Sequence, residues 1–499
     1  MIDNKLLAKS LQILKKYQDE GHVVFHSTDE IPRINLGCLL NAGFLKEVIR
    51  GWYIVDNPTL TPGNTVSWYS NFWKFISIYE SYSNGNAWCL SPEQTIDLCS
   101  GNSVIPNQVT IYVTKGGNRV IPLLHNTSIF EIRKDKLPDD IVTVKETGVN
   151  LWPLESAIAN VSVSYWSKDK DAMIICLNSI KNLSPIINAL IENKSKQKSG
   201  YIISALIETG RQDDAENMKR ILKRFGVNPI IPETETTNSA YASERKLGKI
   251  SIMWKKYREQ IMNLDIPSPA ENILITSIEE KYKEDAYHSL SIEGYRVSQE
   301  LIDKVSSGQW DPKNNDEDMQ MKNALVARGY FLAFCEVRNT IININKNNLN
   351  PGTAVKNAHM DWYTEMWKPF VLAGLYSSKD IIGYRNRPVY IKSSRHVPPS
   401  DIKVLDYMDE FFYCLEKEDN PIVRAVLGHF FLTWIHPFND GNGRMARFLM
   451  NTMLTTGNYP WIIIPVTLRD SYMSALETAS VDSNITRFAN IVLDLIKKG

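Results

Sequence analysis

The strongest constraint on this chain is an apolar helix that ends at a proline and is followed at once by a glycine-rich segment. Residues 421–435, PIVRAVLGHFFLTWI, are apolar almost all round, which is typical of a central buried helix. Pro437 cannot continue the helical hydrogen-bond ladder, so the chain must leave the helix axis after His436. A second helix is predicted to begin near Gly443 and Arg444. The glycine-rich segment therefore lies at a helix N terminus, where free N–H groups and the dipole favour an anion.

The segment 436–447, HPFNDGNGRMAR, combines the groups that phosphate chemistry requires. His436 is a candidate general base, and Asp440 is a candidate ligand for Mg²⁺. Arg444 and Arg447 are candidate partners for phosphate oxygens. Fixing eight or nine positions by residue type gives a chance match on the order of one in 10^10 per starting position, so this combination is specific.

The pattern His-Pro-Phe-x-Asp-Gly-Asn-Gly-Arg-x-x-Arg resembles the signature of the Fic family, and the resemblance extends over roughly the last half of the chain. It implies an AMP transferase in which His436 deprotonates a Ser, Thr or Tyr hydroxyl of a target protein. That hydroxyl would attack the α-phosphate of ATP and displace pyrophosphate. Asp440 would hold Mg²⁺, while Arg444 and Arg447 would bind the β- and γ-phosphates. The implied cradle for the α- and β-phosphate oxygens consists of Gly441, Asn442 and Gly443.

A second part of the resemblance concerns regulation. SLSIEG, residues 289–294, fits the family's inhibitory motif Ser/Thr-x-x-x-Glu-Gly/Asn and lies on a predicted helix near 277–294. The resemblance implies that Glu293 pairs with Arg447 and takes the guanidinium that should hold the γ-phosphate, which leaves ATP in an unproductive pose. Removal of AMP from a target, assisted by the same glutamate, stays open. The motif residues are Ser289, Glu293 and Gly294.

Three further assignments concern the surroundings of the loop. GYRNRPVYI, residues 383–391, resembles the family's flap, a β-hairpin that aligns a target segment by strand addition. Tyr472 is open to two roles, in a base pocket or in the core. His429, one heptad before the loop on an apolar helix, is predicted to be a core histidine. The predicted flap residues are Gly383, Tyr384 and Arg385.

The predicted fold class is α+β multidomain. Residues 1–58 are predicted to be a winged helix and 59–231 a mixed α/β domain; both resemble the abortive-infection (AbiEi-like) antitoxins. Residues 232–249 are a predicted linker, and 250–499 an all-α Fic bundle with the hairpin flap. Within the second domain, residues 109–124 predict a strand, a Gly-Gly-Asn turn and a return strand. Candidate DNA contacts in the winged helix are Arg33, Asn35, Lys46 and Arg50.

The overall charge of the chain does not decide its function. The 56 basic and 56 acidic residues of the 499 balance, so a DNA-binding face would have to be local. The first hypothesis is an autoinhibited AMP transferase. The alternative is a DNA-binding regulator or antitoxin-like protein in which the Fic portion is regulatory. A third hypothesis is a transferase with a different donor, such as UTP or CDP-choline. The sequence has neither a signal peptide nor an apolar span of membrane length, so we expect a cytoplasmic protein without membrane contact. A homodimer stays open.

Overall fold

The computed structural model describes residues 3–27, 31–59, 64–232, 248–271, 275–307 and 322–498. The chain divides into two compact units, Met1–Lys249 with Tyr390–Val397, and Ile250–Val389 with Pro398–Gly499. Most of the predicted linker, 232–249, lies outside the described residues. No helix in the described ranges combines the length and the apolar composition that crossing a bilayer requires.

The first unit begins with the order helix, strand, helix, strand, strand. Its strands form an antiparallel sheet in the order β1–β3–β2. Gly51, with a φ of +82°, makes the tight turn predicted between the last two strands. The winged helix itself stays a prediction. These elements are α1 (Asn4–Asp19), β1 (Val24–His26), α2 (Arg33–Asn41), β2 (Leu45–Ile49) and β3 (Trp52–Val55).

One candidate DNA contact is corrected by its burial. Asn35 is 3% exposed, and its Nδ2 donates to Ser10 Oγ at 2.9 Å, which joins α2 to α1. Its side chain is therefore part of the packing between two helices and does not reach a DNA surface. Arg33 and Arg50 are exposed, whereas Lys46 is partly buried with its Nζ 3.5 Å from His125 Nε2.

The predicted boundary at residue 58 runs through a shared hydrophobic cluster. Trp52 and Ile54 of β3 are buried together with Trp68 and Phe75 of the next helix. The remaining helices of this unit are α3 (Val66–Asn84), α4 (Pro92–Cys99), α5 (Leu154–Asn160), α6 (Val163–Lys168), α7 (Lys170–Ser179), α8 (Ser184–Glu192), α9 (Lys196–Glu208) and α10 (Gln212–Arg224).

The predicted hairpin in residues 109–124 is wrong in its pairing. Its two strands form, but a later strand lies between them, giving the sheet order β4–β5–β7–β6. The later strand pairs parallel with the first and antiparallel with the second. The return strand is mostly exposed and suits the sheet edge, while the inserted strand alternates buried and half-buried positions. The strands are β4 (Trp88–Leu90), β5 (Gln108–Val113), β6 (Arg119–Pro122), β7 (Ser128–Arg133), β8 (Val142–Thr143) and β9 (Asn150–Leu151).

The second unit is a helical bundle built around the helix that precedes the glycine-rich loop. That helix, Pro421–Ile435, has the bounds that its apolar composition predicts, and the helix before it is Asp401–Lys417. The helices are α11 (Lys249–Met262), α12 (Ile275–Ile292), α13 (Gln299–Ser306), α14 (Lys322–Asn347), α15 (Pro351–Leu372), α16 (Asp401–Lys417), α17 (Pro421–Ile435), α18 (Asn442–Thr456), α19 (Arg469–Asp482) and α20 (Thr486–Lys498).

The predicted hairpin flap is replaced by bends. Residues 383–391 contain no strand in the part of the chain that the structure describes. Arg385, which is 3% exposed, holds this segment by donating from its guanidinium to backbone carbonyls, including those of Arg387 and Pro399. Side-chain-to-carbonyl bonds therefore take the place of a strand ladder.

Candidate active site

The loop 436–441 is shaped by two left-handed backbone positions between α17 and α18. His436, with φ 53° and ψ 57°, ends α17, and Gly441, with φ 82°, precedes α18. Phe438 is buried between them and stacks on Tyr363 with ring centroids 3.9 Å apart, as expected of an anchor in the core. Helix α18 has no side-chain cap at its start, so its first N–H groups face the loop.

His436 has the geometry of a neutral general base. Its Nδ1 lies 3.1 Å from the Thr433 carbonyl oxygen, which can only accept, so the proton is placed on Nδ1. Nε2 is then left with its lone pair. Burial of the ring lowers the pKa of His436 below its ordinary value, which keeps the imidazole neutral near pH 7. A neutral imidazole with a free Nε2 can take a proton from a hydroxyl.

Arg385 positions this base from the segment predicted as the flap. Its Nε donates to the His436 carbonyl oxygen at 2.8 Å, and its backbone N–H donates to the Pro437 carbonyl oxygen at 2.8 Å. The neighbouring Tyr384 is partly buried, and its hydroxyl lies 2.8 Å from His359 Nε2. Both side chains face the interior, and of the predicted flap residues only Gly383 is exposed. We therefore reassign Arg385 from target contact to positioning of the loop.

The side chain of Asn442 shapes the loop and is not placed to cradle phosphate. Its Oδ1 accepts from the Phe438 N–H at 2.9 Å, and its Nδ2 donates to the Phe438 carbonyl oxygen at 2.9 Å. The residue is 2% exposed. This two-point bond fixes the path of the chain over residues 438–442, and the cradle is left to the backbone N–H groups at the start of α18.

Asp440 fits the role of a magnesium ligand. Its carboxylate is 56% exposed, and one oxygen accepts from the Gly441 N–H at 2.6 Å. In phosphate-transfer sites Mg²⁺ is held by one or two carboxylates together with substrate phosphates and waters, so a single open carboxylate beside an anion site is suitable. The described residues contain no cluster of three or more acidic, histidine or cysteine ligands, so no cage made of protein alone is present in them.

Glu293 bridges both arginines of the loop. Its Oε1 lies 2.8 Å from Arg447 Nη2, and its Oε2 lies 2.7 Å from Arg444 Nε. The sequence predicted only the contact with Arg447. Both guanidiniums are at least 96% buried, and burial alone would lower their pKa values, but the Glu293 carboxylate raises the pKa of each above its ordinary value. The groups proposed to hold phosphate are thus occupied by a carboxylate.

Helix α12 carries Glu293 to this point. Ser289, four residues earlier, accepts at its Oγ from Arg447 Nε at 2.8 Å, and its carbonyl accepts from Arg447 Nη2 at 3.1 Å. Four residues before Ser289, the buried carboxylate of Asp285 accepts from the Tyr330 hydroxyl at 2.5 Å. Gly294, with a φ of +88°, turns the chain away after the last helical turn. Spacing of four places Asp285, Ser289 and Glu293 on one face of α12.

Arg444 has two aromatic neighbours that the sequence did not single out. Its guanidinium carbon lies 5.0 Å from the Trp367 ring centroid and 5.5 Å from that of Tyr295. Trp367 lies on α15 among apolar residues, where it is indistinguishable in sequence from a core tryptophan. Tyr295 follows the inhibitory motif directly. Its position beside Gly294 was the available signal.

Of the two roles left open for Tyr472, the structure supports the one in the core. It is 1% exposed, and its hydroxyl lies 2.8 Å from Nε2 of His429, which is fully buried. Burial holds the pKa of His429 well below its ordinary value, so this pair is a neutral hydrogen bond in the core. The prediction that His429 is a core histidine is confirmed.

The residues that match a known family include the loop. Residues 354–454 match the Fic/DOC family. The protein adenylyltransferase Fic of Drosophila virilis is 37% identical over 119 residues, 23% of this chain and 24% of that protein. That of Drosophila mojavensis is 36% identical over 119 residues, 23% of each chain. The match therefore spans about a quarter of the length of these relatives. Fic-1 of C. elegans has a TM-score of 0.37 and 16% identity, covering 69% of this chain and 93% of the solved one.

Proposed function

We propose, because residues 354–454 belong to the Fic/DOC family, that this chain is an autoinhibited adenylyltransferase that transfers AMP from ATP to a hydroxyl of a protein. The observation that carries the proposal is that one loop places a neutral His436 at the end of α17 and two buried arginines, Arg444 and Arg447, on α18. A base, an anion cradle and two fixed positive charges are the groups that nucleotidyl transfer requires. Gly443 stands where a lysine would favour transfer of a phosphate group instead.

The reaction balances with the groups present. The target hydroxyl oxygen forms a bond to the α-phosphorus of ATP while the bond from that phosphorus to the bridging oxygen breaks and pyrophosphate leaves. His436 Nε2 takes the hydroxyl proton. The N–H groups at the start of α18 hold phosphate oxygens, and Arg444 and Arg447 neutralise charge on the β- and γ-phosphates. A Mg²⁺ bound through Asp440 would supply further neutralisation of the phosphates.

The position of Glu293 supports the proposed autoinhibition. A carboxylate that bridges Arg444 and Arg447 excludes the γ-phosphate from both guanidiniums and repels it. ATP that enters must then bind with its α-phosphate displaced from His436. A displacement of about 1 Å can lower a rate about 100-fold, so the native chain is expected to be nearly silent.

Labelled ATP with magnesium tests the proposal on the full chain. Glu293→Gly should raise auto-AMPylation about 100-fold, because both guanidiniums are freed for phosphate. Adding His436→Ala to that variant should abolish labelling. Glu284→Gln, an exposed change on the same helix, is the matched control and should leave labelling at the native level.

Two results would contradict the proposal. Labelling that survives His436→Ala would exclude His436 as the base. Labelling that is equal in the native chain and in Glu293→Gly would exclude inhibition by Glu293. Offering labelled UTP and CDP-choline to the Glu293→Gly variant decides whether ATP is the donor.

A further inference from the structure

We propose that Trp367 is a further substrate-binding residue, whose indole Nε1–H donates to a phosphate oxygen held at the start of α18. This inference rests on the nucleotide site proposed above. It assigns the residue a direct contact with the polyphosphate in addition to its packing on Arg444.

The position of the indole carries the proposal. A β-carbon placed on Gly441, the residue that precedes α18, would lie 3.2 Å from Met366 Sδ and 3.4 Å from both Trp367 Nε1 and Arg444 Nη2. Two N–H donors from different helices therefore converge on the backbone at the uncapped end of α18. A side chain at Gly441 would crowd all three atoms, so the glycine keeps this face of the backbone accessible to the two donors.

Neither donor is satisfied. Trp367 Nε1 and Arg444 Nη2 are buried and have no hydrogen-bond partner among the described residues. Arg444 Nε differs from them in that it forms an ion pair with Glu293 Oε2 at 2.7 Å, although the two groups are not aligned as a hydrogen bond. The Asp440 carboxylate oxygen lies 3.8 Å from Arg444 Nη2, beyond hydrogen-bond distance. Trp367 is 2% exposed, so its N–H is shielded from bulk solvent. Unpartnered buried donors such as Trp166 Nε1 occur elsewhere in the described residues, so the lack of a partner alone does not mark a site. What distinguishes this pair is that both donors lie beside an anion site, where one ligand oxygen would satisfy both and remove the cost of leaving them unpaired.

The inhibitory carboxylate does not use these donors. Glu293 contacts Arg444 through Nε and Arg447 through Nη2, on the side of Gly443, where a β-carbon would lie 2.9 Å from Glu293 Oε1. The Trp367 indole lies on the other side, beside Gly441. Release of Glu293 thus opens one half of the cradle, and Trp367 provides a donor in the other half.

Isothermal titration of the full chain in the Glu293→Gly background tests the contact, with ATP and inorganic triphosphate as probes. Trp367→Phe keeps an aromatic ring against Arg444 but removes the N–H. It should weaken both probes about 10-fold, as expected for loss of a hydrogen bond to a charged group. Trp362→Phe is the matched control, because Trp362 lies on the same helix and donates to Thr340 Oγ1 at 3.0 Å. Trp362→Phe should leave both affinities unchanged.

Trp367→His, which keeps a ring N–H, should bind ATP within about 3-fold of the parent; if it binds no better than Trp367→Ala, the donor role is excluded. Unchanged affinity in Trp367→Phe with a loss only in Trp367→Ala would mean that the ring is a packing platform, which overturns the proposal. A loss for ATP without a loss for inorganic triphosphate would also overturn it. A parent that binds ATP without transferring AMP contradicts the proposed function, and the Trp367 comparison remains decisive; a parent that binds neither probe overturns both.

Discussion

At the scale of single residues, the loop separates groups that do chemistry from groups that hold them. His436 keeps a free Nε2 because Nδ1 holds the ring proton and donates it in a hydrogen bond to the Thr433 carbonyl oxygen. Arg385 and Asn442 have chemical groups suited to binding, yet both are used on backbone atoms of the loop. Residue type alone predicted phosphate contact for Asn442, because a sequence does not report which hydrogen bonds are already made.

The role of Asn442 can be separated from its contribution to stability. Asn442→Ala leaves the buried N–H and carbonyl of Phe438 unpaired and should lower the free energy of unfolding by about 2 kcal/mol. Asn451→Ala, on the same helix, removes the same two-point bond from Ile462 and should cost about as much. Thermal melts compare the stabilities, and labelling in the Glu293→Gly background compares the activities.

We expect AMP transfer to be lost with Asn442→Ala and retained with Asn451→Ala, because only the first bond fixes the path of the loop beside His436. Equal activity in the two variants would show that the loop holds its shape without this bond.

At the scale of elements, helix α12 acts through a polar face inside a hydrophobic bundle. Three polar residues follow one another at intervals of four. Asp285 contacts Tyr330, Ser289 contacts Arg447, and Glu293 contacts both Arg444 and Arg447. Burial raises the pKa of Asp285 to about 6, while the Tyr330 hydroxyl and the nearby Arg447 act in the opposite direction and favour its charged form. The contact between Asp285 and Tyr330 therefore helps to fix the position of Glu293 beside the two arginines.

Tyr330→Phe should loosen the inhibitory helix without changing the residues that are proposed to bind phosphate. Loss of one buried hydrogen bond of about 1 kcal/mol predicts a rise of about 5-fold in auto-AMPylation. Tyr257→Phe is the matched control, because its buried hydroxyl donates to the Ala479 carbonyl at 2.7 Å, away from α12. The control should lower stability without raising labelling; a similar rise in both variants would indicate general loosening of the bundle.

Elements set by local pattern could be predicted, and elements set by distant partners could not. The bounds of α17 follow from its apolar composition, and the break after His436 follows from proline. The pairing of β5 with β6 failed because β7, which comes later in the chain, takes the place between them. The flap failed because the burial of Arg385, which holds its bends, is decided by the fold around it. The position of Trp367 beside Arg444 could not be predicted either, because it also depends on the surrounding fold.

At the scale of the whole molecule, the inhibitory contact also stabilises the second unit. Arg444 and Arg447 are 1% and 3% exposed, and Glu293 is the carboxylate that contacts both. Removing one partner from a buried ion pair commonly costs about 3 kcal/mol or more, because the remaining charge is left unpaired. Freedom of the catalytic groups and stability of the unliganded bundle are therefore opposed.

We therefore expect the Glu293 variants to be less stable than the native chain without nucleotide and to be stabilised more by ATP. Without nucleotide, Glu293→Gly and the near-isosteric Glu293→Gln should each melt several degrees below the native chain, since about 1 kcal/mol corresponds to about 2–4 °C in a domain of this size. Saturating ATP with magnesium should raise the melting temperature more in either variant than in the native chain, because phosphates replace the missing carboxylate and binding to the folded state stabilises it. Differential scanning calorimetry at fixed protein concentration, with and without ATP, measures both shifts.

The change to glutamine separates the effect of charge from the effect of backbone freedom. Equal melting temperatures for Glu293→Gln and the native chain would exclude charge neutralisation as the source of the stability. An equal response of native and variant chains to ATP would mean that Glu293 and the phosphates do not compete for the same two guanidiniums.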